Sequence, residues 1–136
     1  MEKDSKNQIL IAFDKAIEDR DSVGLQTCIA AAFRDGIDSD YIEVFKNIIL
    51  EQWHEEHEDI VNIIYLILPD DAFTDKLWEI AINPKIYRKY DYELESTLRK
   101  CVHALKAIGT SKANAILDRL VETGNPNVQY ALEMYK

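Results

Sequence analysis

A chain of 136 residues with 47% apolar side chains can bury its own core and is too apolar to stay disordered; its four Gly and three Pro are too few for the regular turns of a β-sandwich. The net charge of −9 lies wholly in residues 1–68, where 15 acids stand against 6 bases, while residues 69–136 carry ten of each. Such a field repels nucleic acid and anionic membrane and steers a basic partner, although an acidic surface also serves solubility alone.

Helical periodicity runs from end to end and predicts an all-α chain. The opening "MEKDSKNQILIAF" is charged and then only briefly apolar, which is not the pattern of a signal peptide. A first helix over about 5–19 places Ile9, Ala12, Phe13, Ala16 and Ile17 on one face. A second follows Asp21 through Leu25, Cys28, Ile29, Ala32 and Phe33 and stops near Gly36. "DSDYIE" opens a third, with Asp40 as cap and Glu43 reaching back, and Ile42, Phe45, Ile49 and Trp53 as its buried face.

"EDIVNIIYLIL", about 58–68, is apolar nearly all round, so it is expected to be the central element; its Ile and Val content also suits a buried strand. Pro69 ends it. A fifth helix over about 71–82 carries Phe73, Leu77, Trp78, Ala81 and Ile82 and halts at Pro84, followed by the tyrosine-rich connection "PKIYRKYDY". A sixth over about 91–108 uses Leu94, Leu98, Cys101, Val102, Leu105 and Ile108 and closes on Gly109. In the seventh, Ala113, Ile116, Leu117, Leu120 and Val121 form a helical stripe ended by Gly124. "NPNV" starts the last, with Asn125 as cap and Pro126 in the first position. No apolar run reaches the roughly eighteen residues of a membrane span. Cys28 and Cys101 both fall in apolar helical patterns, as reduced core thiols of a cytoplasmic protein would.

Aligned helix starts near Asp40, Asp71 and Ser111 form a weak repeat with spacings of 31 and 40 residues. "ALKAIGTSKANAILDRLVETGNPNVQYALEMY", residues 104–135, resembles the HEAT-like repeat: Ala-Leu-x-x-Ile-Gly closes one helix, Ala, Leu and Leu space the next, and Asn-Pro-x-Val leads to another Ala-Leu. Gln129 stands where the pattern usually has Arg, and the earlier units lack the Gly. The resemblance implies one domain over 1–136: a right-handed α-α superhelix, a HEAT-like solenoid of about eight helices in antiparallel pairs.

"QWHEEHEDI", residues 52–60, is the one stretch dense in ligand-type side chains. A zinc-hydrolase helix places its two His four apart, whereas His54 and His57 are three apart with two Glu between them. The alternative is a helix start: Glu55, Glu56, Glu58 and Asp59 meet the positive end of the helix dipole, and the two His become exposed turn residues. Cys101 and His103, two apart, point to different helix faces, and His103 is expected to face a groove or solvent. Acid pairs such as Asp70–Asp71 serve as helix caps. No metal, cofactor or catalytic residue is therefore expected.

Two surface features remain as partner-binding candidates. One is the acidic rim of Glu51, Glu55, Glu56, Glu58 and Asp59 with Trp53, which is either a docking surface or a solvated face. The other is the connection bearing Tyr87, Arg88, Tyr90 and Tyr92, residue types that anchor interfaces but also pack over the edge of a fold. In general character the chain is similar to small bacterial immunity proteins, which implies neutralisation of a basic, nuclease-type toxin domain by covering its active site or substrate groove. A general HEAT-like adaptor is the alternative. Lys85, Arg88, Lys89, Arg99, Lys100 and Lys106 keep a nucleic-acid reading open, against the acidic half.

Overall fold

Small acids, one hydroxyl and one amide cap several of the helical segments of this chain. The computed structural model describes residues 2–83 and 96–134, and every regular element within them is helical. The α-helices are α1 (Glu2–Asp19), α2 (Ser22–Asp35), α3 (Ile42–Ile48), α4 (His57–Leu66), α5 (Thr74–Ile82), α6 (Ser96–Ile108), α7 (Ser111–Glu122) and α8 (Pro126–Met134). Single 3-10 turns, Ser39–Tyr41 and Asp71–Phe73, lead into α3 and α5. The 58–68 stretch is thus helix as far as Leu66, not strand. Tyr87, Arg88, Tyr90 and Tyr92, and the expected start of the sixth helix, lie outside the described residues.

Asp21 accepts the Gly24 N–H at 2.9 Å, Thr110 accepts that of Ala113 at 3.1 Å, and Asn125 that of Asn127 at 2.9 Å. Each satisfies a donor that the helix start would leave orphaned. The expected cap at Asp40 is corrected. Asp38 accepts the Asp40 N–H at 3.0 Å to open the 3-10 turn, and the Asp40 carboxylate instead takes the Lys6 ammonium of α1 at 2.9 Å. Gly109 and Gly124 leave α6 and α7 at φ +67° and +77°, a conformation that a Cβ penalises.

α1 packs on α2 and also touches α3. Further along, α4 lies on α6 and α6 on α8, while α5 and α7 pack on each other and on α6. So α4, α6 and α8 make one row and α5 and α7 a second behind it. The hub is α6 rather than α4, contrary to the sequence expectation. α4 buries Ile60, Val61, Ile63 and Ile64, but Leu66 at its end is 63% exposed. Phe33, Val121, Ile82 and Ala12, expected in the core, are also exposed, because each falls on the flank of its helix's apolar arc. Cys28 and Cys101 are both buried. No helix among the described residues is long and apolar enough to cross a membrane.

The first half is centred on Phe13, Tyr41 and Phe45, all fully buried. Phe13 meets the other two edge-on at 6.1 and 5.9 Å between centroids, a favoured aromatic geometry that ties α1 to α3. The Tyr41 hydroxyl is buried there without a hydrogen-bond partner. Tyr41→Phe is expected to raise the unfolding free energy by about 1 kcal/mol in urea denaturation, since it removes only an unsatisfied polar atom.

Candidate functional site

Between α3 and α4 the chain makes a tight excursion, and its apolar and polar residues divide sharply. Ile48 and Ile49 are fully buried and close the apolar face of α3, which ends before Trp53. Trp53, expected on that helix, is half-buried in the loop that follows. Glu51, Gln52, Glu55 and Asp59 point to solvent.

The two histidines overturn the expectation of exposed turn residues: His54 is 1% and His57 6% exposed. Nε2 of His54 lies 2.7 Å from the Ile48 carbonyl, and its Nδ1 accepts the Glu56 N–H at 3.0 Å. An accepting Nδ1 puts the ring proton on Nε2, which donates to the Ile48 carbonyl beside the Glu51 N–H that the same carbonyl accepts at 3.0 Å. Nε2 of His57 donates to the Glu51 carbonyl at 2.6 Å. The rings stack at 4.4 Å between centroids, and Trp53 meets His54 edge-on at 5.0 Å. Burial pushes the His54 pKa down, since the imidazolium would lose its hydration there.

This arrangement does structural work. Both Nε2 atoms donate to backbone carbonyls. No group of three or more His, Cys, Asp or Glu among the described residues could hold a metal ion. Both histidines bond the backbone of their own turn while buried. The short spacing made the pair visible; its direction could not be read without the turn.

The acidic rim divides in the same way. Glu56 is only 7% exposed, and burial, opposed by a hydrogen bond with Gln26 and reinforced by Asp59, raises its pKa. Glu58 is half-buried, with the Lys100 ammonium of α6 at 3.0 Å. Only Glu51, Glu55 and Asp59 of the five remain exposed. Glu56→Gln is expected to stabilise the protein by about 1 kcal/mol at pH 8, the scale of replacing a buried charge by an uncharged isostere. The gain shrinks as pH falls through the raised Glu56 pKa, because the wild-type carboxyl then takes up its proton in the fold. Urea denaturation at a series of pH values measures both.

Elsewhere, a hollow of about 430 Å³ between α1 and α2 is walled in part by Ile9, Ala12, Cys28 and Ala31. Burial raises the Cys28 pKa, which keeps the thiol protonated and a poor nucleophile. A smaller hollow between α4, α6 and α8 contains His103, which does face a groove as expected; its Nε2 donates to the Ala131 carbonyl at 3.0 Å. Arg99 and Lys100 line the same hollow. The sequence marked them only as scattered bases, although Arg99 and His103 are one helical turn apart. Comparison with protein-family models, with curated proteins and with solved structures gives no match.

Proposed function

We propose that this chain is a non-catalytic, cytoplasmic protein-binding module of the immunity type, whose α3–α4 loop docks a basic partner domain, of which a nuclease-type toxin is the favoured kind. The observation that carries this reading is the acidic pair Glu51 and Glu55 on a loop whose backbone is pinned by two buried histidines beside a half-buried tryptophan. A surface fixed before encounter loses little conformational entropy on binding, and its charge raises the association rate and sets orientation. Neutralisation then follows from covering the partner's active site or substrate groove. Asp59 extends the contact, whereas buried Glu56 and ion-paired Glu58 are left out of it. The two-row packing of α4 to α8 supports reading the chain as a HEAT-like superhelix, which presents one row along an extended surface.

An apolar adaptor contact is the second reading, favoured by Ile11, Val23 and Phe33 on α1 and α2, which are 66%, 70% and 50% exposed. Affinity capture from native lysate at low salt separates the two. The docking reading expects a basic protein whose recovery falls at least tenfold when Glu51→Gln, Glu55→Gln and Asp59→Asn are combined, or when salt is raised. A partner indifferent to both changes supports the adaptor.

A further inference from the structure

We propose that the hollow between α4, α6 and α8 is a receptor for a single carboxylate, the aspartate or glutamate side chain of a protein partner. It has a volume of about 240 Å³ and is lined by Asn62 and Tyr65 of α4, Arg99, Lys100 and His103 of α6, and Met134 of α8. Helix spacing assembles it: Asn62 and Tyr65 are three residues apart and Arg99 and His103 four, so each pair shares a helix face.

The charge here is opposite to that of the chain as a whole. α6 carries Arg99, Lys100 and Lys106 and no acid, whereas every other described helix carries at least one. Lys100 already holds one carboxylate, that of Glu58 at 3.0 Å, which offsets its charge. Arg99 forms no ion pair among the described residues, its guanidinium carbon sits 5.6 Å from the Tyr130 ring centroid, and its Nε is buried without a hydrogen-bond partner. The site therefore has one uncompensated cation of the kind that grips a carboxylate through two parallel N–H bonds. Swinging toward such a ligand gives the orphaned Nε an acceptor.

The remaining lining fits the same ligand. The Asn62 amide supplies further donors, and Tyr65 and Met134 supply apolar wall for the methylenes of an acidic side chain. His103 is held in place by the Ala131 carbonyl and forms a fixed wall, with the Tyr65 ring 5.4 Å from its own. One uncompensated positive charge matches a monoanion. A phosphate dianion would leave charge unbalanced in a chain whose net charge is −9. The site is distinct from the α3–α4 loop, and its test needs no partner, so the two proposals fail separately.

The test is an NMR titration of the full, isotope-labelled chain at constant ionic strength. The probes are N-acetylglutamate amide, the matching glutamine compound and inorganic phosphate, and the signals followed are the side chains of Asn62 and Arg99 and the backbone amides of α6. Saturable shifts are expected with the glutamate compound and not with the glutamine compound, and binding is expected at least tenfold weaker in Arg99→Gln. Arg99→Lys, which keeps the charge but loses the fork, is expected to fall between and serves if the first variant unfolds. Absence of saturable shifts, equal shifts with the glutamine compound, or undiminished binding in the variants would overturn the proposal. Saturation by phosphate alone would overturn it too and assign the hollow to a phosphate ligand.

Discussion

His54→Ala is expected to lower the unfolding free energy by about 2–4 kcal/mol at pH 8, measured by guanidinium denaturation. The substitution leaves the Glu56 N–H without its acceptor and takes from the Ile48 carbonyl one of its two donors, the Glu51 N–H remaining, at a position only 1% exposed. It also strips His57 of its stacked neighbour and Trp53 of its edge contact. Loosening the loop releases Glu51 and Glu55 from fixed positions, so on the proposed docking reading partner capture should weaken along with stability.

The same residue sets a pH dependence. Because burial depresses the folded pKa of His54, the unfolded chain holds the extra proton first as pH falls through about 6.5. Its contribution to stability is thus fully present above that value and is lost as pH falls toward the folded pKa. The slope approaches at most about 1.4 kcal/mol per pH unit. Glu56 works in the opposite direction, since its raised pKa lets the fold take up a proton before the unfolded chain does. The histidine contribution is therefore cleanest in a Glu56→Gln background, and adding His54→Ala there should flatten the profile between about pH 7 and pH 5.5. An unchanged slope would remove His54 from this role.

Leu105→Ala should cost about 3 kcal/mol, within the range for emptying a well-packed leucine site. Leu105 is fully buried on α6, together with Leu98, Cys101, Val102 and Ala104, an arc wider than a helix at the edge of a fold would bury. α6 touches α4, α5, α7 and α8, so a void there cannot close without moving helices of both rows. Ile11→Ala, at a position 66% exposed, provides the contrast and should stay within about 0.5 kcal/mol of wild type. Guanidinium denaturation reads both. A cost below about 1 kcal/mol for Leu105→Ala would mean that α6 is not the hub.

Most of the local structure follows from the sequence without tertiary help. Asp21, Asn125 and Pro126 start helices where cap chemistry requires, and Gly109 and Gly124 stop them where a left-handed residue is needed. These signals are short-range: a carboxylate or amide reaches N–H groups only two or three residues away, so the relevant neighbours are already in the string. The all-helical composition is legible for the same reason, because apolar residues recur at the helical period throughout.

What the string could not carry was direction. His54, His57 and Glu56 read as exposed because polar residues between two helices ordinarily face water, and yet all three are buried. Here the ring nitrogens of two histidines of the turn fold inward to bond the Ile48 and Glu51 carbonyls and the Glu56 N–H, which only the path of the turn brings within reach. Similarly, only packing decided that Lys100 meets Glu58 across 42 residues and that α6, not the more apolar α4, is surrounded. Hydrophobic content fixes how much of a helix is buried. Which helix becomes the centre depends on how many neighbours the chain path brings to it, and that is decided only when the helices stack.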